Sequence, residues 1–353
     1  MTATAVAPGP VDLVALRGWM DDRDLGTGPI GQVEPLGGGT QNILLRFRRG
    51  DEAFVLRRPP VHKRPESDEV MRREMRVLEA LKDTTVPHPD LIAGEPDTEA
   101  LGAAFYLMRP IEGFNPAEGL PDSYATDPAR RAAMGYAMVD GLIALAGVDV
   151  DAAGLGDLGR ASGWLDRQVP RWRRQFDGYR EHHGWDGGAM LASIDPICAW
   201  LDASRPASFV PGLLHGDYHF ANVLFRHDAP ALAAIVDWEL ASIGDPLLDL
   251  GWLIATWADG EHDAIVPVTP WDGLPTIGEI VDRYLVATGR SARDAHWFGI
   301  LACLKLGILL EGTHARACAG LAPVAVGDRL HAQALALFAR ALHRIRTGTT
   351  DGL

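Results

Sequence analysis

Cysteine is scarce in this chain: three residues, Cys198, Cys303 and Cys318, in 353. The number is odd, the spacing is wide, and no C-x-x-C pair occurs, so neither a disulfide framework nor a cysteine-rich zinc site nor a dithiol redox motif is encoded. The three are read as reduced and structural. Basic charge is also short, with 33 Lys and Arg against 47 Asp and Glu, a formal net charge of −14. That balance leaves no basic footprint for nucleic acid and opposes an anionic membrane, so neither is expected as a partner. Long hydrophobic runs are missing. The best stretch, residues 297–310, is short for a bilayer and carries Lys305 at its middle, which reads as a buried helix. Residues 1–10 hold no basic cluster followed by an apolar run, so no secretory signal is read there and the expected location is cytoplasmic. No internal repeat or low-complexity segment is found.

What is present is ordinary globular composition, 47% hydrophobic and 23% charged, with enough chain for two cores. The first ~110 residues alternate short β-type runs with one helix, which suits a small antiparallel sheet carrying a helix. Strands are expected at 32–36, 43–48, 53–57 and 104–108. A helix is expected over 67–81, where Val70, Glu74, Val77, Leu78 and Leu81 fall at helical spacing. Pro59, Pro60 and Pro65 precede it, and Pro87 and Pro89 follow. Gly113 marks the expected link, giving an amino-terminal unit at 1–110 and a carboxy-terminal one at 111–353. The second is mainly helical. Asp127 can cap a helix starting at Pro128, with Met134, Met138, Leu142 and Leu145 as its inner stripe. A β interruption is expected over 213–236, and a last helix over 328–345, where Leu330, Ala334, Leu337, Ala341 and Ile345 share a face.

The chemistry concentrates in that interruption. His215, Gly216, Asp217, Tyr218 and His219 lead to Asn222, and two apolar runs, 223–225 and 233–236, flank a polar turn with Asp228 and Pro230 before Asp237, Trp238 and Glu239. The runs read as a β-hairpin whose open end makes Asn222 and Asp237 neighbours, with Asp217 on the loop leading in. Phosphoryl transfer needs hard oxygen ligands for magnesium and a separate carboxylate to orient the attacking hydroxyl and take its proton. Asn222 and Asp237 suit the first task, and Asp217 suits the second.

A His-Gly-Asp triplet, an Asn five residues beyond the Asp, and an apolar strand ending in Asp-Trp-Glu resemble the aminoglycoside phosphotransferase and choline kinase superfamily, relatives of the protein kinases. A narrower resemblance rests on motifs recurring in order. These are Arg57-Arg58-Pro59-Pro60, Arg73-Glu74, Phe105-Tyr106-Leu107-Met108, Gly154-Leu155-Gly156-Asp157, Arg167-Gln168, Arg171-Trp172, and Asp237-Trp238-Glu239-Leu240 with Gly244-Asp245-Pro246 and Asp249. They are similar to the branch related to the kinase-like domain attached to some acyl-CoA dehydrogenases, over roughly residues 30 to 260. The resemblance implies an α+β, protein-kinase-like fold with a small antiparallel sheet lobe, a larger helical lobe and the nucleotide between them. It implies Mg2+ and ATP or GTP as phosphoryl donor, with a small hydroxylated acceptor. Asp217 becomes the catalytic Asp, Asn222 and Asp237 the metal ligands, and His215 the residue supporting the loop. Gly37, Gly38 and Gly39 would form the phosphate-binding loop. Arg57 takes the place of the phosphate-binding Lys, Glu74 that of its partner, and Met108 ends the strand before the nucleotide hinge. Arg57 departs from the kinase Lys, replacing a compact ammonium with a planar fork. Arg109 stands where an acidic residue is more usual, and Ala146 replaces a His.

Other readings stand beside this one. His215, Asp217 and His219 would share one face of an extended strand and could ligate a transition metal with Asp237, but Gly216 favours a tight loop that loses the alternation. On that view His219 faces solvent or substrate. Asp245 reads as a helix cap with Pro246 at the first helical position, and Asp249, one turn on, as structural. Trp164, Trp172 and Trp238 read as packing residues. Arg160, Arg167, Arg171, Arg173 and Arg174 form a basic cluster, either a solvated helix face or an anion site, with Arg167 and Arg171 as the substrate-binding candidates. An aminoglycoside or choline-type kinase and a degenerate nucleotide-binding module remain alternatives to a hydroxyacyl-CoA kinase. The acceptor, the choice of ATP or GTP, and the oligomeric state are left open.

Overall fold

In the computed structural model, residues 11–37 and 42–348 are described. Gly38 and Gly39, two of the three expected phosphate-loop glycines, lie outside these residues. The chain divides into two units: Met1–Glu112 with Ala233–Ala241, and Gly113–Leu232 with Ser242–Leu353. A single cut near residue 110 does not contain the return of 233–241 to the first unit.

The first unit is built on a five-stranded antiparallel sheet in the order β1-β2-β3-β5-β4, from β1 (Ile30–Pro35), β2 (Ile43–Arg49), β3 (Glu52–Arg58), β4 (Leu91–Glu95) and β5 (Phe105–Met108). The central strands are buried on both faces because each face carries a helix. Helix α1 (Leu13–Asp21), capped by the Asp12 carboxylate, packs Leu16, Trp19 and Met20 into a core with Leu45, Phe47, Phe54, Leu56, Phe105 and Leu107. Helix α2 (Ser67–Leu81) covers the other face with Met71, Glu74, Met75, Leu78 and Leu81, an i, i+3, i+4, i+7 stripe. Gly94 in β4 lets Met75 pack close, since a Cβ there would come within 2.4 Å of Met75 Sδ and displace that side chain. Helix α2 has the bounds expected from its spacing. Helix α1 and strand β4 were not read from the sequence.

The second unit is mainly helical. After the short α3 (Asp122–Ala125), α4 (Pro128–Ala146) starts as its residues dictate: Asp127 Oδ1 accepts the N–H of Ala129 at 2.9 Å and of Arg130 at 3.2 Å, with Pro128 at the first turn. Its stripe of Met134, Met138, Leu142 and Leu145 is buried. Then come α5 (Trp164–Gly178), α6 (Gly188–Ala203), β6 (Gly212–Leu214) and β7 (Val223–Phe225). The turn after β7 is closed by Arg226 N–H donating to Ala231 C=O at 3.0 Å, and β8 (Leu232–Ile235) carries the chain into the first unit. It returns through β9 (Ser242–Gly244), which pairs with β6, to α7 (Leu247–Thr256), α8 (Ile277–Thr288), α9 (Ala292–Cys318) and α10 (Val324–Thr347).

Helix α7 is buried on every side. A helix without an exposed face needs partners for its last carbonyls as well as for its side chains. Arg340 Nη1 donates to Ala255 C=O at 2.5 Å and Arg344 Nη2 to Ile254 C=O at 3.3 Å, both reaching in from α10, while Arg340 pairs with the buried Asp259 at 3.0 Å. Helix α9 is long and apolar enough to cross a membrane, longer than the sequence suggested. Since 67% of its apolar window is buried inside the protein, it serves as the core helix against α7 and α10. Its contact with α7 is backbone-close: a Cβ on Gly251 would lie 2.5 Å from Phe298 O. Gly251→Ala gains up to about 1 kcal/mol of helix propensity, but it forces α7 and α9 apart at backbone atoms that cannot rotate away. Urea unfolding is expected to show a net loss of about 1–3 kcal/mol.

Candidate active site

In the sheet unit, the period-2 alternation of β3 sends Leu56 into the α1 side and Arg57 to the α2 side. Arg57 is in register with Tyr106 of β5, so both side chains rise on the same face, where α2 presents Glu74. Tyr106 Oη donates to Glu74 Oε2 at 2.7 Å, and Arg57 Nε pairs with the same oxygen at 2.8 Å. Arg57 Nη2 bonds Glu74 Oε1 at 3.0 Å and Asp237 Oδ1 at 2.6 Å. The guanidinium therefore bridges two carboxylates. Glu74 is fully buried, which rules out a surface-helix role. Burial raises its pKa, and the Arg57 charge and the Tyr106 hydrogen bond oppose that only in part. For Arg57, burial favours the neutral form, yet Glu74, Tyr106 and Asp237 together hold it above its ordinary value, permanently charged.

Asp237 adopts φ 67°, ψ 59°, a left-handed conformation that Asp tolerates better than most non-glycine residues. Its side chain keeps 36% exposure, so it retains acceptor capacity beyond Arg57. The carboxylates of Glu74, Asp237 and Glu239 lie within 4.8 Å of one another, a group able to hold a cation. Around them, Asn42 Nδ2 donates to Glu239 at 3.4 Å, and Arg73 Nη1 to the Glu239 carbonyl at 3.4 Å. Met108 ends β5 buried, in register with Val55 and Leu91, and the Arg109 N–H donates to the Asp90 carbonyl at 2.9 Å. Gly37 is exposed with open space around its α-carbon, so its local packing does not require glycine.

The helical unit holds the loop at 215–222. Asp249, buried in α7, accepts the N–H of His215 at 2.7 Å and of Gly216 at 2.9 Å. Gly216 sits at φ +86°, which only glycine adopts freely, and breaks the extended alternation that a His-Asp-His metal site would need. His215 is fully buried and accepts the Asp217 N–H at its Nδ1, 3.3 Å away.

Asp217 is the convergence point. Its Oδ1 accepts Trp252 Nε1–H at 2.9 Å and lies 3.2 Å from His219 Nε2; its Oδ2 accepts Asn222 Nδ2–H at 3.0 Å. Burial alone would raise the Asp217 pKa, but His219, His215 and the Trp252 N–H outweigh it and keep the carboxylate ionised. His219 is thus part-buried against Asp217 rather than open to solvent, with 16% of its side chain exposed. Its Nδ1 accepts the Ala221 N–H at 3.2 Å, and its Nε2 faces the carboxylate. Asn222 spends both amide hydrogens on Asp217, the second on its carbonyl at 2.9 Å, which leaves Oδ1 as the outward acceptor. An amide oxygen fixed in this way and a partly exposed carboxylate at Asp237 are oxygen donors of the kind magnesium prefers.

Of the remaining candidates, Asp245 is a structural cap, accepting Leu247 N–H at 3.1 Å and pairing with Arg290 at 2.9 Å. Asp249 is structural too, but its structure is the loop itself. Arg167 turns back onto the carbonyls of Ser162 and Arg160, whereas Arg171 is exposed with its guanidinium 5.1 Å from the Trp172 ring centroid. Sequence reasoning misses Trp252 and Lys305. The Lys305 Nζ stands over the Trp252 ring, 4.5 Å from its centroid, and 5.6 Å from that of Trp172. A lysine interrupting an apolar helix is the available signal, and in the sequence it speaks only against a membrane span.

Residues 32–270, more than half of the chain, match the model of the phosphotransferase enzyme family. Among curated proteins, acyl-CoA dehydrogenase family member 10 of Mus musculus is 26% identical over 86% of this chain and 28% of its own length. A probable acyl-CoA dehydrogenase of Arabidopsis thaliana, IBR3, is 29% identical over 75% of this chain and 34% of its own. The chain thus spans about a third of the length of these relatives. Among solved structures, a candidate aminoglycoside phosphotransferase of Ralstonia eutropha JMP134 is 27% identical over 94% of this chain and 99% of its own, with a TM-score of 0.77. A GDP complex of aminoglycoside 2'-phosphotransferase-IIIa is 16% identical, covers 94% of this chain and 99% of its own, and has a TM-score of 0.60, a likeness of fold. The fold is accordingly α+β and protein-kinase-like, with the small antiparallel sheet and larger helical part that the motifs implied. On the match across residues 32–270, the chain belongs to the phosphotransferase enzyme family.

Proposed function

We propose that the protein transfers the γ-phosphoryl group of ATP or GTP to a hydroxyl of a small acceptor, and that this acceptor is a hydroxyacyl-CoA or a similar anionic hydroxy compound. The observation that carries the transfer reading is the setting of Asp217, a carboxylate kept ionised and oriented by His219, Asn222 and Trp252. Such a group holds an acceptor hydroxyl in line and takes its proton as the P–O bond forms, while the nucleoside diphosphate leaves. Asn222 Oδ1 and Asp237 are the proposed magnesium ligands; the ion, when bound, neutralises charge on the phosphates. Arg57, anchored by Glu74 and already paired with Asp237, is the proposed phosphate contact of the sheet unit, with Gly37, Gly38, Gly39 and Met108 assigned to the nucleotide. What supports the acceptor class is the kinship with acyl-CoA dehydrogenase family members and the exposed Arg171, a cation that repels polyammonium compounds and attracts oxyanions. A cytoplasmic location belongs to the same proposal.

Incubation with magnesium, ATP or GTP, and a panel of hydroxyacyl-CoA esters, hydroxy acids and aminoglycosides tests the reading. Phosphorylation of the anionic members is expected; efficient turnover of aminoglycosides alone would overturn the acceptor assignment. Asp217→Asn should keep nucleotide affinity and lower kcat by about 10²–10⁴-fold. Asp237→Ala should abolish magnesium-dependent nucleotide binding, read by calorimetry, while leaving the unfolding midpoint nearly unchanged. Because the Asp217 carboxyl is held below the usual carboxylate range, the pH profile of kcat/KM should show no acid limb from this residue above about pH 4.

A further inference from the structure

Lys305 projects from the middle of α9 between two indoles, its Nζ 4.5 Å from the Trp252 centroid and 5.6 Å from that of Trp172. Among the described residues this ammonium makes no hydrogen bond and no ion pair. Trp172 is 4% exposed, and its Nε1–H is also buried without an acceptor. Arg171, whose guanidinium lies 5.1 Å from the Trp172 centroid, likewise has neither a hydrogen bond nor an ion pair among the described residues. Of the three donors the Trp172 N–H is the buried one without a partner among the described residues, whereas buried donors in native proteins are almost always satisfied; beside it stand two cations without a carboxylate partner, the exposed Arg171 and the part-buried Lys305, an unusual arrangement. It is more unusual in a chain with 47 acidic residues against 33 basic ones. Two nearby arginines are paired: Arg173 with Asp177 and Asp195, and Arg205 with Asp166 and Asp202.

We propose that Lys305, Arg171 and Trp172 form an oxyanion subsite beside Asp217, which binds a carboxylate or phosphate that the acceptor carries close to its reacting hydroxyl, and which therefore favours a hydroxy acid or hydroxy phosphate over a hydroxyacyl-CoA, whose charges lie on the distant CoA arm. Trp252 sets the spacing, since its N–H edge holds Asp217 Oδ1 at 2.9 Å while its face lies against Lys305. The hydroxyl and the anion are thereby held on the order of one indole apart, a separation of a few bonds along the acceptor. The indole faces stabilise the ammonium by cation–π attraction without consuming its N–H donors, which keeps them available for oxygen. Burial lowers the Lys305 pKa to about 8, Arg171 acts in the same direction, and Asp249 and Asp217 oppose them. A bound oxyanion reverses that balance and secures the charged form. The same two cations exclude a polyammonium acceptor.

This inference rests on the reading of Asp217 as the hydroxyl-binding base, so its test uses binding as well as turnover. In protein with 13C-labelled lysine, the Lys305 resonance, assigned by its loss in Lys305→Met, is followed during additions of inorganic phosphate, β-hydroxybutyrate and neutral methyl β-hydroxybutyrate. One of the two anions is expected to shift the resonance and raise its titration midpoint above about 8, while the ester does neither. Which anion acts separates a phosphate from a carboxylate ligand. Arg171→Gln, at an exposed position that does not endanger folding, should weaken the response by about tenfold or more. A Lys305 signal unmoved by both anions, or moved equally by the ester, overturns the subsite. If the anions bind as described but no acceptor is phosphorylated, the subsite stands and the kinase reading falls. If an anionic acceptor is phosphorylated with the same KM by wild type, Lys305→Met and Arg171→Gln, the subsite falls and the kinase reading stands.

Discussion

The carboxylate of Asp249 is the contact on which the helical unit's site depends. It is buried in α7 and accepts two consecutive backbone N–H groups, those of His215 and Gly216. Taking a carboxylate out of water is costly, and burial pushes its pKa up against His215, the two N–H bonds and Lys305, which pull it down. The return on that cost is geometric. With His215 and Gly216 pinned, Gly216 turns the chain at φ +86° and delivers Asp217 to Trp252, which lies one turn beyond Asp249 on the same helix. One face of α7 thus holds both the backbone of the loop and its Asp217 carboxylate. The depth of α7 matters for the same reason. Arg340 and Arg344 close its last turn from α10, and Gly251 brings it against the α9 backbone, so neither of its neighbours can shift without moving the loop.

The sheet unit solves a different problem, the placement of a permanent positive charge. A lysine at position 57 would offer its donors from a single point, whereas the wide arginine fork meets Glu74 with Nε and Nη2 and still reaches Asp237. Glu74 is in turn fixed by Tyr106, the cross-strand partner of Arg57. Breaking the buried Arg57–Glu74 pair by deleting one of the two costs about 3–5 kcal/mol, since the other charge is left unpaired, whereas loss of the partly exposed Asp237 leaves Arg57 still paired with Glu74. This makes Arg57 a rigid element. The Asp237 conformation at φ 67° is held by the short turn at Trp238–Leu240, in which the Trp238 indole N–H bonds the Ile235 carbonyl at 2.9 Å.

The chain is similar both to a candidate aminoglycoside phosphotransferase and to acyl-CoA dehydrogenase family members. The proposed anionic acceptor rests on local charge. Around Asp217 the helical unit offers Lys305 and Arg171, which suit an anionic acceptor, while the −14 net charge is spread over a surface where salt screens it within about 10 Å.

Short-range signals in the sequence carried much of the molecule. The bounds of α2 follow from apolar residues at helical spacing between prolines and the start of α4 from an Asp-Pro pair, while the pairing of Arg57 with Glu74 was implied by the family resemblance. Asp217 and Asn222 were singled out from the oxygen groups that phosphoryl transfer needs, and the structure adds that their side chains, five residues apart, meet. Other features needed the folded chain. Helix α1 is marked by only three buried residues and strand β4 contains a glycine, so their roles follow from the sheet they cover and extend. Asp249, Trp252 and Lys305 come to Asp217 from 32 to 88 positions away in the numbering, with α7 and α9 as the carriers. Periodicity reports which face of a helix is buried, but a wholly buried helix has no contrast to report. Which of its residues meet the loop was decided by packing alone.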